Sequence, residues 1–365
     1  MGKYYLETFG CQMNVADSEI IEGILQTKGY SPIQQMNNAD IIFVNTCAIR
    51  EHAEEKVHSR LGAFSKVKSE NPDVIIGVLG CMAQHLKDNI LDSKPFVDIV
   101  LGPDSYRKLP ELLDRKLVNK NNIVDTQLSR FEVYDNFFPS RKNGINAWVS
   151  IMRGCDKFCT FCIVPFTRGR ERSRSINSIV DEVKKAVDEG FVEITLLGQN
   201  VNSYKYEDHT FDYLLKEIAE ISGVQRLRYT SPHPQDMTDE VLYMMSNYDN
   251  ICNAVHFPLQ AGSSRVLKRM NRTYTKNHFI KRAHRIREIL PNCGLSSDII
   301  VGFPGETDSE FEETLEVMRE VKFDSAFTFK YSPRLGTNAF EYSDHLSEQD
   351  KQKRLDKVIT LQKNH

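Results

Sequence analysis

The sequence lacks any long run of apolar residues, and this absence excludes a membrane-spanning helix. No window approaches eighteen consecutive apolar residues, and the best runs, such as residues 74–79, have the length of a strand. The first ten residues also lack the basic start and the apolar stretch of a signal peptide, and Leu6 stands where a myristoylation motif has Ser or Thr. We therefore expect a cytoplasmic protein that does not bind a membrane.

The sequence has little net charge, because 47 Lys and Arg stand against 50 Asp and Glu. The resulting charge of -3 argues against a nucleic-acid-binding protein of the uniformly basic type. Two basic stretches nevertheless interrupt the neutral chain: residues 141–174 carry 8 basic and 2 acidic residues, and residues 265–290 carry 9 and 1. With 365 residues, 40% of them apolar and 27% charged, the chain is an ordinary globular protein of two or three domains.

The order of strand and helix patterns predicts an α/β fold. In the N-terminal part, apolar runs precede stretches with helical periodicity, which is the pattern of a doubly wound parallel sheet; the runs are residues 4–9, 41–45, 74–79 and 97–101. Six further strand-and-helix units begin near residue 145 and predict a partial (βα)6 barrel. We expect a doubly wound domain at 1–118, an interdomain connection at 119–144 and the barrel domain at 145–365.

Three of the eight cysteines stand close together, directly after the first strand of the predicted barrel. Cys155, Cys159 and Cys162 form a CxxxCxxC spacing. Disulfides are not expected in a reducing compartment, and three thiolates in one loop can hold three irons of a four-iron, four-sulfur cluster while the fourth iron stays open. The alternative is structural zinc, which usually has four protein ligands, but no His or Cys lies between Cys162 and His209 to complete such a site. The spacing favours the open cluster.

A second set of cysteines is spread widely in sequence but shares one structural position. Cys11, Cys47 and Cys81 each follow the carboxyl end of one of the first three predicted strands. Those ends share one edge of a parallel sheet, so three equivalent loops can bring the thiolates together around a second cluster with an open iron. The alternative is three buried thiols that act as small apolar residues. Cys252 and Cys293 lack this context and are expected in the core.

Three segments that contain these cysteines resemble the radical S-adenosylmethionine methylthiotransferases. The segments are residues 7–19 (ETFGCQMNVADSE), 44–62 (VNTCAIREHAEEKVHSRLG) and 153–174 (RGCDKFCTFCIVPFTRGRERSR). The resemblance covers essentially the whole chain and implies two 4Fe-4S clusters, one that binds and cleaves S-adenosylmethionine and an auxiliary one that donates sulfur. It also implies two protein partners, an electron donor and a cluster-assembly system.

Within this family, the segments are most similar to the branch that acts on isopentenyladenosine in tRNA. That branch converts N6-isopentenyladenosine next to the anticodon into its 2-methylthio derivative with two molecules of S-adenosylmethionine, so the implied partner is an anticodon stem-loop carrying isopentenyladenosine. Other branches act on threonylcarbamoyl-adenosine in tRNA or on an aspartate of a ribosomal protein. Outside the family, the alternative is a non-catalytic iron-sulfur or zinc protein that binds RNA or transfers electrons. We assign no protein acid or base.

The resemblance also implies which residues contact S-adenosylmethionine. Phe161 precedes the third cysteine of the motif, and the others lie at the ends of the predicted barrel strands: Gly198, Gln199, Asn200, Ser231, His256, Gln260, Asp298 and Gly302. Glycine-containing turns that merely end a strand are the alternative interpretation of these positions.

Four arginines follow the CxxxCxxC segment on alternate positions: Arg168, Arg170, Arg172 and Arg174. A charge run is usually a solvated surface, but this one leads from the predicted active site, so we expect it to bind RNA phosphates. Phe166 and Tyr274 lie in the two basic stretches and are candidates for stacking on bases. The family also carries a C-terminal TRAM domain, a small RNA-binding β-barrel. The sequence stops at His365, about where one would begin, so either it is a fragment or the substrate is bound without that domain.

Overall fold

The computed structural model of the protein describes residues 2–47, 51–141 and 144–364. Residues 142–143 of the predicted connection lie outside the described residues, as does His365. The chain divides into two units, one made of Met1–Cys155 and Val164–Phe191 and the other of Asp156–Ile163 and Val192–His365. The domain ranges expected from the sequence stay a prediction. In the described part of the chain, no helix is both long enough and apolar enough to cross a membrane.

A six-stranded parallel sheet forms the centre of the first unit. Its strands are β1 (Lys3–Thr8), β2 (Ser31–Pro32), β3 (Ile41–Thr46), β4 (Ile75–Gly80), β5 (Ile99–Leu101) and β6 (Ile123–Asp125). They run in the order β2-β1-β3-β4-β5-β6, and all neighbours pair in parallel. Strands β3 and β4 are buried along their whole length, which explains their nearly continuous apolar sequences. Strand β6 lies inside the segment that the sequence predicts as a connection.

Helices cover both faces of this sheet, as the predicted doubly wound fold requires. The helices of the first unit are α1 (Gln12–Thr27), α2 (Glu51–Glu70), α3 (Cys81–Leu86), α4 (Asn89–Ser93), α5 (Leu109–Asn119), α6 (Val164–Arg168) and α7 (Ile176–Asp188). One apolar cluster contains Ile24 and Leu112, and a second contains Phe64 and Met82. The unit also contains β7 (Asn146–Ser150) and the antiparallel pair β8 (Met152–Arg153) and β9 (Arg172–Ser173). The prediction of a parallel-sheet N-terminal domain is confirmed.

The second unit continues the alternation of strands and helices. Its strands are β10 (Glu193–Leu197), β11 (Lys205–Tyr206), β12 (His209–Thr210), β13 (Arg226–Tyr229), β14 (Ala254–His256), β15 (Gly294–Val301) and β16 (Ser325–Lys330). Strand β10 pairs in parallel with β13, and β15 pairs in parallel with both β14 and β16. A bridge between Leu227 and Ile251 joins β13 to the residues just before β14. These five parallel strands belong to the alternation of strands and helices that the sequence predicts after residue 145.

The helices of the second unit follow its strands. They are α8 (Phe211–Ala219), α9 (Asp239–Asn247), α10 (Ser264–Arg269), α11 (Lys276–Ile289), α12 (Asp308–Val321) and α13 (Glu348–Gln362). Helix α9 begins after Thr238, which caps it by accepting a hydrogen bond from the Val241 backbone N–H. Helix α12 begins with a complete capping box, in which Thr307 and Glu310 each bond the other's backbone.

Candidate functional sites

The three widely spaced cysteines meet at one edge of the first unit's sheet. Cys11 precedes α1, Cys47 follows β3, and Cys81 begins α3 directly after β4; the strands that lead to them, β1, β3 and β4, are neighbours. A hydrogen bond with Cys47 lowers the pKa of the Cys11 thiol to about 5, against the opposing effect of burial, and the positive charge of Arg168 adds to the lowering. The site therefore favours a thiolate at Cys11, which is the form that ligates metal.

Two glycines allow the cysteine-bearing loops to approach each other. Gly10 has φ +135°, and a Cβ there would lie 2.5 Å from the Cβ of Cys47. Gly80 has φ +93°, and a Cβ there would lie 2.6 Å from the Thr46 carbonyl oxygen and closer still to the Asn45 side chain. A side chain at either position would push the loops apart, and the backbone conformation itself favours glycine.

A buried amide network lies directly beneath these cysteines. The side chain of Asn14 donates to the Thr46 carbonyl oxygen at 3.0 Å, and that of Asn45 donates to the Asn14 carbonyl oxygen and to Ser18 Oγ, both at 2.9 Å. Cys11 Sγ lies 3.3 Å from Asn14 Oδ1. Asn14 and Asn45 are completely buried, so the network fixes the start of α1 against the end of β3. No role was predicted for either asparagine; the signal at Asn45 is a polar residue at the end of an apolar run.

The CxxxCxxC segment is divided between the two units. In the first unit, the Cys155 backbone N–H donates to the Gly169 carbonyl oxygen at 3.2 Å. In the second, the Cys162 N–H donates to the Cys159 carbonyl oxygen at 2.9 Å, and Cys159 and Cys162 are partly exposed. Arg272 Nη1 donates to Cys159 Sγ at 3.4 Å. Arg272 is therefore a charged donor to a cysteine sulfur of the motif, and the local sequence pattern does not indicate it.

The residues just before Arg272 hold the loop in place. The Asn271 side chain donates to the carbonyl oxygens of Lys157 and Phe158 at 3.0 and 2.9 Å, and the Thr160 N–H donates to the Met270 carbonyl oxygen at 3.0 Å. Phe158 has φ +47°, an uncommon backbone conformation for a residue other than glycine. The loop conformation is therefore determined by partners more than a hundred residues away in sequence.

Two buried polar atoms near this loop have no hydrogen-bond partner among the residues that the structure describes. Asn200 donates to Asp236, which also binds Lys157 of the loop, but Asn200 Oδ1 is unpaired. His233 Nδ1 accepts from the Gln235 N–H at 3.2 Å, so Nε2 carries the proton, and Nε2 is also unpaired. Burial, together with the charges of Arg272 and Lys157, lowers the pKa of His233 to about 2 and keeps the ring neutral.

These two atoms fit the amino-acid end of S-adenosylmethionine. Asn200 Oδ1 is an acceptor suited to an amino group, and His233 Nε2–H is a donor suited to a carboxylate. Asn200 was predicted to contact this molecule, whereas His233 was not. The sequence indicates His233 only by its position, two residues after Ser231 and just past the end of a strand. Leaving two buried polar atoms unsatisfied is costly, so their presence in one region indicates a ligand.

Other residues expected to contact S-adenosylmethionine lie in the second unit. His256 and Asp298 form one pair, with Nε2 and Oδ2 3.0 Å apart, and Ser231 and Gln260 both have positive φ, which costs energy and is often found at functional sites. Phe161 packs edge-on against Phe303. Gly198 is buried and Gln199 partly exposed.

Gly302 has a clear structural reason to be glycine. It has φ +69°, and a Cβ there would collide with the Lys351 side chain of α13. Its N–H also donates to a Glu306 carboxylate oxygen at 2.7 Å. Packing against α13 therefore accounts for this glycine, and contact with S-adenosylmethionine stays a prediction.

The arginine run does not form an open basic surface. Arg170 is exposed, but the other three are buried in ion pairs within the first unit: Arg168 with Asp17, Arg172 with Asp104 and Arg174 with Glu182, at 2.8, 2.9 and 2.5 Å. Binding an RNA phosphate would require breaking these buried pairs, which costs about 3–5 kcal/mol each. Phosphate contact at these three positions stays a prediction, and their internal ion pairs oppose it. Asp17 and Asp104 are distant in sequence from the arginines that they pair with, so residue spacing alone did not indicate these ion pairs.

The second basic stretch is also mostly paired within its own unit. Its cations bind carboxylates: Arg265 binds Glu310, Arg269 binds Asp344, Lys276 binds Glu313 and Glu316, and Arg282 and Arg285 bind Asp239. Tyr274 is 4% exposed, and its hydroxyl bonds the Pro258 and Leu259 carbonyl oxygens, so it is not available to stack on a base. Phe166, which is 48% exposed, remains available.

Each cysteine set offers three thiols, the ligand type of iron-sulfur clusters. In the described part of the chain, no group of three or more His, Cys, Asp or Glu side chains is arranged to hold one metal ion. A four-iron cluster binds each thiolate to a different iron, so its ligands stand further apart than those of a single ion. All eight cysteines are free thiols.

Comparison with known proteins first defines the class. Residues 149–318 match the radical SAM superfamily, and residues 3–102 match the family described as "Uncharacterized protein family UPF0004". Among solved structures, the radical S-adenosylmethionine methyltransferase TsrM from Kitasatospora setae aligns with a TM-score of 0.70 at 12% identity, covering 93% of this chain and 77% of TsrM. The cobalamin-dependent radical enzyme OxsB aligns with a TM-score of 0.64 at 14% identity, covering 100% of this chain and 56% of OxsB. The fold is that of a radical SAM protein.

Curated relatives then identify the family. The chain is 47% identical to the tRNA-2-methylthio-N(6)-dimethylallyladenosine synthase of Phocaeicola vulgatus, covering 99% of this chain and 80% of the relative. The synthase of Clostridium tetani is 45% identical, with 99% and 81% covered. That of Sulfurihydrogenibium sp. is 47% identical, with 99% and 84% covered. The chain belongs to this family of synthases.

Proposed function

We propose that this chain is a tRNA methylthiotransferase that converts N6-isopentenyladenosine next to the anticodon into 2-methylthio-N6-isopentenyladenosine. The observation that carries the proposal is the identity of 45–47% over 99% of the chain to synthases named for this product. The presence of two cysteine sets, one in each predicted domain, supports it, because the reaction requires a radical source and a sulfur source.

The six cysteines are the proposed ligands of two four-iron, four-sulfur clusters. A cluster on Cys155, Cys159 and Cys162 would supply the electron that cleaves S-adenosylmethionine, and an auxiliary cluster on the other three would supply sulfur. The chain's own groups prepare these sites. Arg272 donates to the Cys159 sulfur, and the buried amide network orients the loop of Cys11.

The proposed site for S-adenosylmethionine uses the unpaired atoms described above. Asn200 Oδ1 would accept a hydrogen bond from the amino group, and His233 Nε2–H would donate one to the carboxylate. Because the His233 ring is neutral, it acts as a hydrogen-bond donor and not as a counter-ion. The other residues expected from the resemblance, including Phe161 and the His256–Asp298 pair, stay in the proposal as contacts to the rest of the molecule.

The proposed macromolecular partner is a tRNA anticodon stem-loop that carries isopentenyladenosine. Arg170 and Phe166 are exposed on the segment that follows the CxxxCxxC loop. Arg170 would contact an RNA phosphate, and the ring of Phe166 would stack on a base. A loop base is unstacked more easily than a paired one, which suits chemistry at the C2 position of an adenine. An electron-donor protein and a cluster-assembly system complete the proposed partners, and we propose a cytoplasmic location.

Nucleoside analysis of tRNA treated with the anaerobically reconstituted protein tests this proposal. The protein, a reductant and S-adenosylmethionine are incubated with tRNA that carries isopentenyladenosine, and the digested nucleosides are measured by mass spectrometry. We expect the 2-methylthio product to form. In parallel reactions, tRNA carrying threonylcarbamoyl-adenosine and a ribosomal protein with its target aspartate should stay unmodified. Product on either of these substrates alone would replace the proposed substrate with that one.

Cysteine variants separate the proposed enzyme from a non-catalytic iron-sulfur or zinc protein. Replacing Cys11, Cys47 and Cys81 by Ala should abolish methylthio transfer but preserve reductive cleavage of S-adenosylmethionine. Cys252→Ala is the matched control and should preserve both activities, because this thiol belongs to neither set. If the parent protein binds iron yet never cleaves S-adenosylmethionine, the non-catalytic alternative replaces the proposal.

A further inference from the structure

A buried arginine lies next to the cysteine set of the first unit. Arg168 is the last residue of α6 and is 3% exposed. Helix α6 packs against α3, which begins with Cys81. The side chain of Arg168 lies close enough to those of Cys81 and Cys11 to interact with both. This arginine is therefore within electrostatic reach of two of the three thiols.

Only some of the N–H groups of the Arg168 guanidinium donate hydrogen bonds within the protein. Its Nη2 donates to Asp17 Oδ2 at 2.8 Å, whereas its buried Nη1 has no acceptor among the residues described. A charged donor left unsatisfied in the interior is destabilising, so this N–H indicates that something else accepts it in the working protein. The acceptor must be anionic or strongly polar, because it has to satisfy a guanidinium away from water.

The charges around Arg168 do not balance. Three buried guanidinium groups, those of Arg153, Arg168 and Arg172, share two buried carboxylates, those of Asp17 and Asp104. One positive charge is left without a carboxylate in this group. Arg168 interacts electrostatically with Cys81 and Cys11 as well as with Asp17, and a cluster held by three thiolates is itself an anion.

We propose that Arg168 is a positioning residue for the auxiliary cluster: its unused Nη1–H donates to the Cys81 side of the cluster, and its charge stabilises the reduced state. This inference rests on the proposed function, because it takes Cys11, Cys47 and Cys81 as cluster ligands. Reduction adds one electron, so a nearby fixed positive charge favours the reduced cluster and raises its reduction potential. Asp17 holds the guanidinium in place for this role.

A second arginine provides a matched control. Arg153 is also completely buried and also binds Asp17, at 2.9 Å. Its Nη2 donates to the Pro103 carbonyl oxygen at 3.1 Å, and the guanidinium lies over the ring of Tyr134. Its Nε has no hydrogen bond among the residues described but lies 3.8 Å from Asp104 Oδ1, so the nearest acceptor to this N–H is a carboxylate. Losing either arginine breaks a buried pair with Asp17, but only the loss of Arg168 removes a charge that acts on the cysteines. A purely structural role predicts the same consequences for both.

The test measures the auxiliary cluster alone. In a protein with Cys155, Cys159 and Cys162 changed to Ala, Arg168→Gln, Arg168→Lys and Arg153→Gln are reconstituted anaerobically. Iron and sulfide are quantified, and the midpoint potential is determined by a redox titration followed by electron paramagnetic resonance. We expect Arg168→Gln to be on the order of tenfold less reduced at the parent's midpoint potential, about 59 mV for a one-electron couple. Arg168→Lys should recover most of that shift, and Arg153→Gln should match the parent.

Each outcome distinguishes this inference from the assignment on which it rests. If the parent without the CxxxCxxC cysteines binds no iron, the auxiliary cluster of the proposed function is wrong, whatever the arginines do. If that parent binds iron and Arg168→Gln keeps its potential and spectrum, the role of Arg168 is refuted. If Arg168→Gln binds no iron, Arg153→Gln decides: normal iron in Arg153→Gln supports the positioning role, and equal loss in both overturns it.

Discussion

Replacing Gly80 by Ala should destabilise the first unit and disturb its cysteine site together. Gly80 has φ +93° and ψ -158°, a combination that is essentially confined to glycine. It is the last residue of β4 and directly precedes Cys81. An added Cβ would lie 2.6 Å from the Thr46 carbonyl oxygen and even nearer to the side chain of Asn45. Both neighbours belong to the fully buried strand β3 and cannot move freely.

The expected loss has two parts. The backbone strain of a non-glycine residue in this region costs about 1–3 kcal/mol. Overpacking against β3 costs roughly a further 1–3 kcal/mol. The free energy of unfolding should therefore fall by about 2–6 kcal/mol. Gly190 separates the two parts, because it has φ +96° and no atom lies within 4 Å of a Cβ added there. Gly190→Ala should show only the strain, about 1–3 kcal/mol.

The assay is urea unfolding followed by the fluorescence of Trp148. This is the only tryptophan in the sequence, and it lies on β7 in the same unit as both glycines, so its emission reports the unfolding of that unit. Gly80→Ala should have the lower midpoint of the two variants, and it should bind less iron in a protein that lacks the CxxxCxxC cysteines. Equal midpoints for the two variants would refute the close packing of Gly80 against β3.

His233→Ala should weaken S-adenosylmethionine binding by about ten- to a hundredfold, because a hydrogen bond to a charged group is lost. Anaerobic calorimetry measures the affinity. His278→Ala, on an exposed helix face, is the control and should leave the affinity unchanged. Arg170→Ala should lower the slope of tRNA affinity against salt concentration by about 1, whereas the exposed Arg115→Ala should not, and equal slopes would exclude the phosphate contact. A hydrogen bond from a neighbouring arginine lowers the pKa of Glu310 to about 2, below its ordinary 4.5, so its stabilising effect is complete above pH 4.5 and is lost as the pH falls towards 2. Glu310→Gln should therefore flatten the decline of the urea midpoint over that range, and an unchanged decline would contradict this.

The positions of most strands and helices could be predicted from local pattern alone. The apolar runs that became β3 and β4 are buried on both faces, so hydrophobicity signalled them directly. Strand β6, which lies in the segment predicted as a connection, was a weak signal because it has only three residues. Short elements contain too little periodicity to be distinguished from loops, and the surrounding structure decides their conformation.

The sequence by itself also determined the class of the protein. The CxxxCxxC spacing is local, so it needs no knowledge of the fold, and the recurrence of a cysteine after three successive strands depends only on the order of elements. Identifying the family required no more than these segments and the similarity of the whole chain to named synthases. These features can be recognised from the sequence because each depends on a few neighbouring residues or on the order of strands along the chain.

Only the tertiary structure decided which charges and polar atoms are available for function. The arginine run reads as a basic surface, yet Arg168 and Arg172 are buried because Asp17 and Asp104 reach them from segments far away in sequence. The unpaired Nε2 of His233 is equally invisible in a sequence, because it depends on which atoms fail to find a partner. Burial and pairing result from long-range packing. A sequence shows that a charged side chain exists, and the fold determines whether it interacts with water, a carboxylate or a cofactor.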